Sequence, residues 1–210
     1  MPLPLARRER HALCDLSLAV GESAATLCGE WTVGDLMAHL WVREHRPEAA
    51  LGTFLAPLGF LTDAAMSRAG RQPFDRLVEK VRSPGLTPFA LRPVEVLANT
   101  MEYLVHHEDV RRAQPGWAPR DLDLEDLADA WTALGRMGRM LVRRVDVPVT
   151  VRRTDTGAEH TLRGGGEPVV VAGPVVEVAL TLLGRSAVQD VEVTGPPAAV
   201  EAWRAADLHF

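Results

Sequence analysis

The sequence predicts an α+β protein, with a four-helix bundle over residues 1–144 followed by a small α+β domain over 145–210. Three observations predict it. Apolar residues recur at helical spacing as far as Arg144. From there Val147, Val149 and Val151 alternate with other residues, which is strand spacing. Asp155-Thr156-Gly157 then supplies a hairpin turn signal.

In the first helix, over 5–20, Leu13, Leu16 and Val20 fall at helical spacing, and Gly21 is its stop. A second helix opens at Thr32, three residues before Asp35. That pair resembles a capping box, with a hydroxyl on a free amide and a carboxylate at the positive helix end. Trp31 sits where it can staple the entry, and Leu36, His39 and Leu40 share a face until Pro47. Residues 51–73 read as an irregular connection carrying a short helix around 61–68. Another short helix is expected over 74–81, stopped by Pro84 and Gly85. Pro93 opens a long helix over 94–112, because a first-turn amide has no partner within the helix to lose. Leu124, Leu127, Trp131, Leu134, Met137 and Met140 stripe a fourth long helix over 124–144, completing the bundle. In the tail, strands are expected at 147–151, 158–162, 167–172 and 191–193. A helix over 175–183 lies between the last two, and another starts at Pro197.

Composition narrows the function classes. The chain has 210 residues, of which 47% are hydrophobic and 24% charged, as in a soluble globular protein. A net charge of −5 lacks the footprint of a general nucleic-acid binder. Cys14 and Cys28 cannot build a disulfide framework and read as thiols of a cytoplasmic protein. The first residues carry no signal-peptide pattern, and no apolar run approaches a membrane span. No nucleic-acid or membrane partner is therefore expected. Gly164-Gly165-Gly166 lacks the spacing and the Lys-Ser/Thr of a phosphate loop, and no Gly-x-Ser-x-Gly elbow occurs.

One constellation carries chemistry. Glu102 and His106 are four residues apart on the 94–112 helix, so they share a face about one turn apart. A carboxylate and an imidazole so placed can hold a divalent metal, given a third donor. His39 supplies it, standing on the apolar face of its own helix where leucine would be ordinary. Three protein ligands with an open position is the pattern of a catalytic zinc, and the same donors suit nickel or iron. The competing reading is a solvated helix face with a favourable pair. His107 offers another phase, with Tyr103 one turn back. Glu108, Asp109, Arg111 and Arg112 read as a charged helix end, with Asp109 an alternative acceptor for His106. His11 and His45 read as surface or satisfied core groups. Trp41 and Trp131 read as core, and Cys28 as a packing thiol that could also lie near the site.

On these residues the chain resembles a known family. Trp31-Thr32-Val33-Gly34-Asp35-Leu36-Met37-Ala38-His39-Leu40 is similar to the W-x-x-x-D-x-x-x-H-L signature of the DinB/YfiT-like metalloenzymes. Asn99 to Arg111, with Glu102 and His106, resembles the second ligand motif of its actinobacterial branch, the relatives of mycothiol-dependent maleylpyruvate isomerase. The tail, from Val147 through Gly184 to Gly195, is similar to that branch's C-terminal domain. The resemblance implies a DinB-like bundle holding zinc through His39, Glu102 and His106, then a sterol-carrier-like α+β domain. It also implies mycothiol as co-substrate.

The expected chemistry follows. A small thiol entering the open position loses its proton, since a cation stabilises the thiolate. The thiolate attacks a small electrophile held between the domains, giving isomerisation or S-transfer. Arg43, one turn after His39, and Arg152 are the candidates to hold a carboxylated thiol or substrate, with ordinary surface roles as the alternative. Two rivals share the ligands: a hydrolase that acidifies water, and a non-catalytic metal-stabilised binding protein. The chain is expected to act as a monomer or homodimer.

Overall fold

The structure is a computed structural model and describes residues 3–46 and 59–208. It is α+β, with eight α-helices and a four-stranded mixed sheet among the described residues. Its packing divides the chain into two compact units, Met1–Ala118 and Pro119–Phe210.

The first unit is helical: α1 (Leu5–Val20), α2 (Val33–His45), α3 (Gly59–Ala69), α4 (Phe74–Arg82), a 3-10 turn (Pro88–Ala90) and α5 (Arg92–Arg112). Helix α2 begins where the sequence places it, for the expected reason. The Asp35 amide donates to Thr32 Oγ1 at 3.3 Å, and the Thr32 amide donates back to Asp35 Oδ2 at 2.9 Å. Pro93 lies in the first turn of α5. Helix α5 packs along α1, while α4 packs on both α1 and α2. Leu13, Leu36, Leu40, Leu77 and Tyr103 fill the core between them. Each such leucine contributes roughly 1.5–3 kcal/mol through removal of apolar surface from water. The short helix expected around 61–68 is α3. Residues 51–58 of the irregular connection expected before it lie outside the described residues.

The second unit holds α6 (Leu124–Leu141), β1 (Val149–Arg153), β2 (Glu159–Arg163), β3 (Val169–Gly173), α7 (Val175–Leu182), β4 (Glu192–Thr194) and α8 (Pro197–Ala205). Strand order is β2-β1-β3-β4, with β1 and β3 parallel and the outer pairings antiparallel. Val149, Val151, Leu162, Val169 and Val171 are buried in the sheet. The Asp155-Thr156-Gly157 turn joins β1 to β2 as expected, with Gly157 at φ +72°.

Helix α6 departs from the sequence expectation. Expected as the fourth member of the bundle, it lies in the second compact unit, which begins at Pro119. Its glycines give the physical reason. A Cβ on Gly135 would stand 2.6 Å from His160 Nε2, and one on Gly138 would stand 2.5 Å from Leu162 Cδ2. The two bare positions let α6 lie directly on β2, where Trp131 stacks on His160 at 4.4 Å between ring centres.

Gly195 closes the sheet at β4. It holds φ +142°, and a Cβ there would lie 2.8 Å from the Pro168 carbonyl oxygen. Gly195→Ala therefore costs the second unit about 1–3 kcal/mol, through backbone strain and a clash that no side-chain rotation relieves. Urea unfolding of the variant checks this, and an unchanged midpoint would refute it. No helix among the described residues is long and apolar enough to cross a membrane.

Candidate metal centre

The His39 and Arg43 side chains come from successive turns of α2, and those of Glu102 and His106 from successive turns of α5. Packing in the first unit brings the two pairs together. Glu102 Oε1 is the hub, 3.3 Å from His39 Nε2, 3.5 Å from His106 Nε2 and 3.3 Å from Arg43 Nε. One donor atom from each of His39, Glu102 and His106 lies within 4.8 Å of the others. The three side chains keep 23%, 18% and 13% of their surface exposed, so a small molecule can reach them. The Trp31 ring, centred 5.1 Å from that of His39, stands beside them.

The donor set fits a divalent cation. A tetrahedral ion with nitrogen and oxygen ligands at about 2.1 Å spaces its donors roughly 3.4 Å apart. The two spacings around Glu102 Oε1 match that value. The orientation of His106 fits as well. Its Nδ1 is 2.9 Å from Asp109 Oδ2, and an ionised carboxylate only accepts. Nδ1 thus carries a proton, and Nε2 is the nitrogen left for a cation beside Glu102, the usual arrangement behind a ligating imidazole.

Electrostatics favour the charged forms of Glu102 and His106. Burial pushes the Glu102 carboxyl up, but Arg43 and hydrogen bonds with His106 and His39 outweigh this and hold it well below the usual carboxylate range. Burial works against a charged His106, yet its contacts with Asp109, Cys28 and Glu102 carry it well above the usual imidazole range. A cation and a proton thus compete for Nε2.

The remaining expected residues fall as follows. Arg43 has a protein partner at each nitrogen: Glu102 at Nε, Asn99 Oδ1 at 2.6 Å and the Ala98 carbonyl at 2.8 Å. It anchors the hub, and a role as a carboxylate clamp would compete with those bonds. Arg152 is on β1 of the second unit, half exposed, with Nε 2.6 Å from Glu159. His107 takes the other phase of α5 and meets Glu9 of α1 at 2.7 Å in the core. His45 stacks on Trp41.

Two residues whose roles the sequence left open lie beside the site. Asp109 orients His106, and Cys28 Sγ donates to the same Asp109 oxygen at 3.0 Å. Asp109 had a local signal, three residues after His106 on one helix. Cys28 had none, because an 81-residue separation is closed only by the loop before α2, where the Leu27 amide donates to the Asp109 carbonyl at 3.0 Å. Fold and site together define an α+β protein with a two-helix His–Glu–His cluster. No protein-family model, curated protein or solved structure matches the chain.

Proposed function

We propose that the chain is a divalent-metal enzyme of the DinB/YfiT-like kind. It activates a low-molecular-weight thiol, mycothiol-like, for isomerisation or S-transfer on a small electrophilic metabolite. The observation that carries this reading is the convergence of His39, Glu102 and His106 at metal-ligand spacing, with His106 oriented from behind by Asp109. The sequence resemblance supplies the thiol, zinc as the metal, and a sterol-carrier-like identity for the second unit.

A bound cation supplies a charge that stabilises the conjugate base of a thiol or of water. The chain's own residues prepare for it. Asp109 holds the proton on His106 Nδ1, so that Nε2 is the nitrogen a cation at the hub would take. Arg43 holds Glu102 in place through Asn99 and the Ala98 carbonyl behind it. His39 comes from a helix whose capping box fixes its first turn, so its position is set before any ligand arrives. Partial exposure of all three donors leaves an approach for the substrate.

Asp109→Asn leaves the shape but makes the acceptor neutral. It weakens cation affinity by about 10–100-fold. Competition with a chromophoric chelator measures this, and wild-type affinity would show that Asp109 does not orient His106. The function itself is tested by metal analysis and by turnover of unsaturated and ester electrophiles with and without added thiol. Expected are about one ion per chain, and turnover that requires thiol and is lost in His39→Ala. Turnover without thiol would make the protein a hydrolase. Absence of a stoichiometric ion would end the reading.

A further inference from the structure

The side of His106 that faces away from Glu102 meets a second donor set. Cys28 Sγ, Asp109 Oδ2 and His106 Nδ1 form a triangle with edges of 3.0, 2.9 and 3.7 Å. Their donor atoms lie within 4.8 Å of one another, as those of the first cluster do. Asp109 is fully buried, while Cys28 is partly exposed. The backbone around Cys28 is held in place. Its amide donates to Thr26 Oγ1 at 3.0 Å, the neighbouring Leu27 amide donates to the Asp109 carbonyl, and Gln114 Nε2 donates to the Ala25 carbonyl at 3.1 Å.

We infer that Cys28, Asp109 and His106 Nδ1 form a separate site for a thiophilic divalent ion, and that filling it withdraws His106 from the His39–Glu102 cluster. The inference goes beyond the proposed enzyme activity and does not need it, since neither His39 nor Glu102 takes part.

The chemistry of the three donors selects the ion. A thiolate prefers soft and borderline cations such as cadmium and zinc, whereas imidazoles with a carboxylate also accept harder ones. Thiolate and carboxylate together bring two negative charges, which balance a divalent ion. A four-coordinate ion with sulfur at about 2.3 Å and nitrogen or oxygen at about 2.1 Å spaces its donors roughly 3.4–3.6 Å apart. The two short edges therefore open by about half an ångström, and the third already fits.

The proton balance explains the withdrawal. On binding, the Cys28 thiol releases its proton to solvent. The Nδ1 proton, which now points at Asp109, must also leave to solvent, and the neutral imidazole that remains keeps its proton on Nε2. Nε2 then has no lone pair to offer a cation in the first cluster. One histidine, through its two tautomers, thus serves one site or the other.

Cadmium is the probe, because a cadmium–thiolate bond gives a sulfur-to-metal charge-transfer band in the ultraviolet. Cys14 does not confuse the signal. It is fully buried against the Val78 carbonyl, and burial pushes its thiol up to about 12. Titrating the full chain with cadmium is expected to raise the band in wild type, and at least as strongly in Glu102→Gln and His39→Ala, which weaken the competing cluster. The band is expected to be lost in Cys28→Ser, whose far-ultraviolet circular dichroism stays that of wild type. Cys28→Ala takes its place should the serine variant unfold. Equilibrium dialysis of wild type against cadmium is expected to give about one ion per chain, because His106 cannot serve both sites. Absence of the band in wild type would overturn the inference, as would its persistence in both Cys28 variants. Loss of the band in Glu102→Gln would make Cys28 a ligand of the first centre and overturn the separate site. Two cadmium ions per chain would overturn the withdrawal. If the first cluster binds no ion at all, the wild-type band still decides this proposal.

Discussion

Arg10→Met is expected to destabilise the first unit by about 3–5 kcal/mol, the cost of removing one member of a buried ion pair. Arg10 is fully buried in the core, an unusual place for arginine. Its guanidinium meets Glu44 through two bonds of 2.9 and 2.7 Å, donates to the Val81 carbonyl at 2.7 Å, and lies over the Tyr103 ring at 4.2 Å. It thus joins α1 to α2, to α4 and to α5. Without it Glu44 keeps Asn99 Nδ2 and Tyr103 OH as neutral donors but loses its counter-charge. Urea unfolding followed by circular dichroism measures the loss. Because the two charges share one interaction, Arg10→Met with Glu44→Leu should cost less than the two single changes added together. A loss below about 1 kcal/mol in the single variant would mean that the pair does not support the unit.

Glu102→Gln carries the largest expected effect on the centre. The carboxylate is the one negative group that His39, His106 and Arg43 all approach. Glutamine keeps the shape and removes the charge, leaving the guanidinium beside two imidazoles. Affinity for a divalent cation should fall by more than about 100-fold, beyond the 10–100-fold typical of groups that only orient a ligand. Isothermal titration with zinc reads the change, and wild-type affinity in the variant would remove Glu102 from the ligand set. The fold should survive, because Glu102 is partly exposed and is not part of the Arg10–Glu44 pair.

The two cases differ in how well the sequence announces them. Glu102 and His106 stand one turn apart on one helix, and His39 and Arg43 do so on another, so helical spacing alone pairs them. Nothing local assigns Arg10 to the core. It belongs to a charged run, Arg7-Arg8-Glu9-Arg10, near the start of α1. Only the arrival of α2, α4 and α5 around α1 buries it. The choice between His106 and His107 has the same character. Both phases of α5 carry a histidine, and Glu9 on α1 claims one of them.

What the sequence determined by itself is therefore local: the capping box that starts α2, the proline that opens α5, the alternation that makes β1, and the one-turn spacing of the candidate ligands. These follow from backbone geometry and from contacts a few residues long. The tertiary structure decided the rest. It took α6 into the sheet unit, because bare glycines let it lie on β2, and it brought Cys28 to Asp109 through a loop fastened to the end of α5. Such choices depend on which surfaces meet across tens of residues, and no periodicity along the chain encodes that.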